Sequence, residues 1–310
     1  MSILEIMIDV GILGGTGTHT GELIRILINH PDVMLRQVCE PDLAGRDIKS
    51  QHHGLIGESS LKYVDRLEYG KLDVVFVTTS DAKLRESLPT LDDAPELCVI
   101  DMADDFTHAR SLDPLIVYGV PEVNRKPLVR GARRAVIPPA AESLACIAFL
   151  PLAMRCMLPR TVTVTVECAS GLADAGKVNP AQVADVLRLS GSEPQPVVDM
   201  RFVPGMDSRA IRLSATLDLP MPIDNIVEMY EELYEDHNLT HVVGEAVDGK
   251  EVEGTDKCVV SLDKTPDGLL HVQAVADAGM RGGAGDAVHV MNLLMGLYEK
   301  TGLALKASNL

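Results

Sequence analysis

The 310-residue chain contains no tryptophan, and aromatic residues of all kinds make up only 3% of it. With so few flat rings, a surface that stacks on nucleobases or sugars is not expected. No apolar run is long enough to span a bilayer, and no basic stretch precedes a cleavable apolar core at the N-terminus. A cytoplasmic protein without membrane attachment is therefore expected. Cysteine is also sparse. Cys39, Cys98, Cys146, Cys156, Cys168 and Cys258 are scattered, mostly inside apolar segments, with no CxxC pairing. They read as reduced, buried thiols. His52-His53 and His289 have no partners at metal-ligand spacing, so no metal site is expected. Basic residues fall short of acidic ones, 28 against 45, leaving a net charge of −17. That balance argues against nucleic acid and anionic membranes as partners, and an anionic substrate would have to be drawn in by local basic groups.

The chain does have 46% apolar residues, enough to build two domains. Short apolar runs at 7–13, 33–39, 73–78, 97–101 and 134–137 read as buried parallel strands. Helical patterns lie between them, at 21–29 and from about 81 to 91. Alternation of this kind predicts a doubly wound α/β sheet, a Rossmann domain. Beyond residue 140 the pattern changes. Thr161 to Glu167 alternates polar and β-branched residues, as a half-exposed antiparallel strand would. Further strands are expected at 197–203, 211–219, 257–262 and 269–276, with helices at 180–189, 222–235 and 283–300. The predicted architecture is a dinucleotide-binding domain over 1–140, completed by a closing helix in 282–310. An α+β domain for substrate and oligomerisation, 141–281, is inserted between them.

Between the first strand and first helix runs Gly11-Ile-Leu-Gly14-Gly-Thr-Gly-Thr-His-Thr-Gly-Glu22. A glycine turn in that context lets the backbone approach a pyrophosphate, which meets the free N–H groups of the helix start. Gly14, Thr16, Gly17, Thr18 and His19 are the candidate cofactor contacts. Glu40, ending the second strand, can accept hydrogen bonds from the ribose hydroxyls of NAD and repel the 2′-phosphate of NADP. Arg46 lies close enough in sequence to oppose that preference. NAD or NADP is the expected cofactor, with NAD favoured.

Several stretches occur in the order found in one family. Gly14 to Pro31 resembles its opening turn and first helix. Ile100-Asp-Met-Ala-Asp-Asp-Phe106 and Tyr118-Gly-Val-Pro-Glu-Val-Asn-Arg125 resemble two of its internal motifs. Gly254-Thr-Asp-Lys-Cys258 resembles a Gly-Thr-Asn element, and Gly282 to Leu303 its closing helix. On these residues the chain resembles the N-acetyl-γ-glutamyl-phosphate reductases of arginine biosynthesis, whose fold is similar to aspartate-semialdehyde dehydrogenase. The resemblance implies an acyl phosphate attacked by a cysteine thiolate and a thioester reduced by a nicotinamide. It also implies a homo-oligomer, substrate contacts at Ser170 and Gly171, and a cofactor contact from Asn292 on the closing helix.

The reacting group departs from the family. Its Asn-Pro-Gly-Cys-Tyr/Phe-x-Thr motif corresponds to Ile137-Pro-Pro-Ala-Ala-Glu-Ser143, which puts Ala140 at the nucleophile. The Ser-Gly-x-Ser-Gly-Ala-Gly loop reads Ser170-Gly-Leu-Ala-Asp-Ala-Gly176, and the arginine of the Asp-Phe-Arg motif is Thr107. Cys168, just before that loop, is the candidate for a relocated nucleophile, with a packing role as its alternative. Cys146, six residues along the helix from Ala140, turns to a different face. Two readings stay open: an acyl-phosphate reductase with impaired or no activity, and a non-catalytic dinucleotide-binding relative with a regulatory or assembly role.

Overall fold

The computed structural model describes residues 7–103, 106–113, 115–169, 178–206 and 208–307. The first unit takes Met1–Pro138 and Gly283–Ala304, and the second Pro139–Gly282 and Leu305–Leu310. The divisions fall after Pro138 and Gly282. The described tail, 305–307, groups with the second unit rather than with the closing helix as the sequence suggested.

In chain order the first unit contains β1 (Ile8–Leu13), α1 (Thr18–Leu27), β2 (Val33–Cys39), β3 (Tyr63–Val64), β4 (Val74–Val77) and α2 (Ala82–Arg85). There follow β5 (Cys98–Asp101), α3 (Phe106–Leu112), β6 (Val117–Tyr118), α4 (Pro121–Val129) and β7 (Arg134–Val136). The second unit holds α5 (Ala140–Met154), β8 (Thr161–Cys168), α6 (Pro180–Leu189), β9 (Val197–Pro204), β10 (Ala210–Leu217) and α7 (Ile223–Tyr234). It ends with β11 (Thr240–Val243), β12 (Cys258–Lys264) and β13 (Leu270–Asp277), before α8 (Gly285–Leu294) returns to the first unit.

The first unit is a seven-stranded sheet in the order β3-β2-β1-β4-β5-β7-β6, and every pair is parallel. Its central strands β4, β5 and β7 are buried at every position, which is why they read as apolar runs, broken only by Asp101 and Arg134 at strand ends. The chain builds outward from β1 to β2 and β3, then crosses back to β4. Strand order therefore reverses between β1 and β4, the place where open α/β sheets bind ligands at the carboxyl ends of their strands. The edge strands β3 and β6 are two residues each, too short for any periodicity to reveal.

Two predicted helices are shorter than expected. The helix expected over 81–91 is a single turn, α2. Asp81 caps its start by accepting from the Lys83 and Leu84 amides, and Ser87 donates back to the Leu84 carbonyl as the turn unwinds. The closing helix, expected over 283–300, stops at Leu294 because Gly296 takes a φ of 70° and turns the chain. The residues after it are tied down by Asn292, which is 0% exposed. Its amide donates to the Glu299 and Thr301 carbonyls, at 3.0 and 2.8 Å. With both donors used, its oxygen accepts from His30 Nε2 at 3.1 Å, which places the proton of the neutral ring on Nε2. His30 Nδ1 accepts the Asp32 amide at 3.2 Å.

The second unit is a six-stranded mixed sheet, β11-β12-β13-β10-β8-β9. β8 is antiparallel to β10 as its alternation suggested, but parallel to β9 on its other side. Against β10 and β13 packs α5, whose residues Ala140 to Ala153 are all buried. A helix apolar all round belongs inside a core. Pro151 within it removes an amide that would have served Ile147. The hydroxyl of Tyr234 on α7 donates to that Ile147 carbonyl instead, and Tyr230 serves Ala148. Tyr234 thus supplies the donor that a proline removes from a buried helix, and Tyr230 binds the next carbonyl along.

His30 makes stability pH-dependent. Burial lowers its pKa below the ordinary histidine value of 6.5, outweighing the Asn292 hydrogen bond and the Asp32 charge. The folded state therefore binds this proton less readily than the unfolded chain. Its contribution is complete above pH 6.5 and is lost as pH falls. The melting temperature is expected to drop more steeply from about pH 7 to about pH 5 in the unaltered protein than in His30→Gln. Equal slopes would refute the assignment.

Candidate functional site

The glycine turn leaves the carboxyl end of β1 at the point where the strand order reverses. Gly14 and Gly17 have φ of 101° and 100°, which lets the turn close within a few residues. Gly14 donates to the Cys39 carbonyl at 3.0 Å, tying the turn to the end of β2. The Thr78 hydroxyl, just past β4, donates to the Gly14 carbonyl at 2.7 Å. The Thr20 hydroxyl donates to the Thr16 carbonyl at 2.9 Å. The first backbone bond of α1 runs from Gly21 to Gly17, and Gly17 at the N-cap has no side chain to satisfy the amides before it. Thr16, Gly17, Thr18 and His19 are all exposed. A helix start without a capping side chain, on exposed residues, favours an anion through its first-turn N–H groups and the positive end of the helix dipole.

Glu40 stands where the sequence placed it, just past β2, and its Oε2 accepts the Gly15 amide at 2.9 Å. The Gly15 carbonyl accepts two side chains, His52 Nε2 at 2.8 Å and the Tyr63 hydroxyl at 3.0 Å. Burial and the Glu40 charge push the Tyr63 phenol up to about 12, so it stays a donor. The same causes, burial first, push the Cys39 thiol up to about 11. Beside this turn, past β4, Arg85 donates to the Thr79 carbonyl and forms a two-pronged pair with Asp101 at the end of β5. Sequence reasoning missed His52, Tyr63, Thr20 and Arg85 as parts of the site. The glycine pattern marks where a turn lies, but not which distant side chains brace it.

Asn292 is a correction. The resemblance implied a cofactor contact, whereas its amide is spent on two carbonyls, its oxygen accepts from His30, and the residue has no exposed surface. It closes the end of α8 and offers nothing to a ligand. Ser170 and Gly171 lie outside the described residues.

In the second unit Ala140 is the first residue of α5, following Pro139 at the N-cap, and is 9% exposed. A thiolate there would gain from the helix N-terminus. Alanine carries only a methyl group. Of the other thiols, Cys146 is fully buried on the same helix and Cys258 is fully buried in β12. Cys168 is 4% exposed at the end of β8, and burial raises its pKa. That is the opposite of what a nucleophile needs, so Cys168 is corrected to a packing residue. Burial raises Cys98 in the same way. Cys156 alone is exposed, with its Sγ donating to the Gly191 carbonyl at 3.1 Å.

Comparison with known proteins agrees with this geometry. Residues 9–130 match the family model described as semialdehyde dehydrogenase, NAD binding domain. The N-acetyl-gamma-glutamyl-phosphate reductase of Bacteroides thetaiotaomicron is 32% identical over 325 residues, covering 97% of this chain and 99% of the relative. The Bacteroides fragilis reductase is 32% identical over 326 residues with the same coverage. The chain belongs to the N-acetyl-γ-glutamyl-phosphate reductase family. Among solved structures, aspartate semialdehyde dehydrogenase II of Vibrio cholerae matches with a TM-score of 0.69 at 14% identity, covering 94% of this chain and 99% of that one. Aspartate semialdehyde dehydrogenase of Candida albicans, solved with NADP, gives 0.67 at 15% identity, with 93% and 98% coverage. These neighbours share the fold of this reductase-family chain. No helix among its described residues is long and apolar enough to cross a membrane.

Alkylating the native protein with iodoacetamide near neutral pH, with mapping by mass spectrometry, is expected to label Cys156 and spare Cys168. Rapid adduct formation at Cys168 would overturn its assignment to packing.

Proposed function

We propose that this family member holds a nicotinamide dinucleotide on the turn between β1 and α1 and does not carry out thiol-dependent reduction of an acyl phosphate. The residues fit the dinucleotide. The exposed amides of the first turn of α1 would meet the pyrophosphate, and Glu40 would accept from the adenosine ribose. A nicotinamide ring bound there supplies hydride chemistry. The carboxylate of Glu40 favours NAD over NADP, because a 2′-phosphate would face a like charge.

One observation carries the loss of the covalent step. The residue opening α5, where the resemblance puts the nucleophile, is Ala140. A methyl group cannot attack an acyl phosphate, expel phosphate or hold a thioester. Removing a covalent nucleophile costs orders of magnitude in turnover, and buried, protonated Cys168 supplies no substitute. A glycine turn kept in working order in a chain whose reacting position is altered supports a regulatory or assembly role built on dinucleotide binding.

The test is phosphate-dependent oxidation of N-acetylglutamate semialdehyde with NAD or NADP, run beside an Ala140→Cys variant and the Bacteroides thetaiotaomicron reductase. No turnover above background is expected from the unaltered chain, with any gain confined to Ala140→Cys. Turnover within about tenfold of the working reductase would return the chain to the active enzymes of its family. Fluorescence titration is expected to show NADH bound about tenfold or more tightly than NADPH. Tighter NADPH binding would reverse the assigned cofactor.

A further inference from the structure

The inference rests on the dinucleotide reading and concerns which residues make that choice of cofactor. We propose that His52 and Tyr63 are positioning residues that set NAD over NADP by clamping the backbone around Gly15, and through it the Glu40 carboxylate. Neither residue adjoins the glycine turn in sequence. Both reach it from the segment between β2 and β4, His52 from a short helical turn and Tyr63 from β3.

The geometry works through two peptide planes. The Gly15 carbonyl belongs to the peptide joining Gly15 to Thr16, and His52 and Tyr63 hold it at 2.8 and 3.0 Å. A trans peptide carries its C=O and N–H on opposite sides. Holding the oxygen toward His52 and Tyr63 therefore turns the Thr16 N–H away from them, on an exposed residue beside the helix start. The preceding peptide, through the Gly15 amide, holds Glu40 Oε2 at 2.9 Å. Fixing one plane restrains the other, because only the two torsions of Gly15 lie between them.

Gly15 is the only residue that allows this arrangement. A Cβ there would lie 2.6 Å from both Glu40 Cβ and Tyr63 Cε1. The backbone therefore lies directly against both side chains, and His52 covers the same turn with its other face toward Gly21. The outcome is a carboxylate that rotates away only by giving up its bond to Gly15. With one oxygen committed to Gly15, Glu40 keeps acceptor capacity for ribose hydroxyls. Swinging aside for a 2′-phosphate would break the bond to Gly15, so the repulsion is felt. A mobile glutamate would discriminate less.

The experiment measures Kd for NADH and for NADPH in the full chain, its Tyr63→Phe, His52→Ala and His52→Gln variants. Tyr63→Phe removes one O–H and keeps the ring. It and His52→Ala are each expected to weaken NADH about fivefold, the worth of one hydrogen bond. NADPH should change less, so the ratio of the two constants narrows. His52→Gln retains an N–H donor and should keep most of the ratio. A purely structural role would weaken both cofactors alike or lower the melting temperature at constant ratio, and either result overturns the inference. So does a preference of the unaltered chain for NADPH. Failure of the unaltered chain to bind either cofactor would instead remove the dinucleotide reading itself.

Discussion

The first turn of a helix has amides that no carbonyl of its own can satisfy, and α1 begins at a glycine that cannot cap them. Gly17 provides no capping side chain, and the residues around it face solvent. The surrounding structure holds that turn in place: Gly14 is tied to β2, and Thr78 and Thr20 bond to turn carbonyls. The turn, Glu40 and the reversal of strand order between β1 and β4 meet at the carboxyl end of β1.

The second unit poses the opposite situation. The N-terminus of α5 is again a place where negative charge would be stabilised, but the residue there has nothing to ionise. Its helix is nonetheless kept with care. It is buried from Ala140 to Ala153, and a tyrosine hydroxyl serves the Ile147 carbonyl that Pro151 leaves without its amide. Loss of the thiol therefore sits in a well-built frame. This is what separates a scaffold from its chemistry: packing constrains the side chains of α5 from Ala140 to Ala153, whereas the reaction requires one particular atom on one of them.

Parts of this were legible beforehand because they are local. The buried strands announce themselves as apolar runs, and the glycine turn lies between two such elements in the expected order. Ala140 could be placed because Ile137 to Ser143 lines up with the family's nucleophile motif without a gap. Other parts were illegible because they depend on distant residues. His52 and Tyr63 lie 37 and 48 residues from the carbonyl they hold. Asn292 has the residue type of a ligand contact, and only its burial and its bonds to His30, Glu299 and Thr301 show a structural role. Cys168 had the position of a substitute nucleophile until burial showed its thiol to be held in the protonated form.

The sequence by itself determined the elements, their alternation and the absence of sulfur at the start of α5, since each of these is written in neighbouring residues and their hydrophobic period. Tertiary structure decided which polar groups are free to meet a ligand and which are consumed within the fold. Hydrogen-bonding capacity and protonation depend on what lies across space, and a chain acquires those neighbours only when it folds.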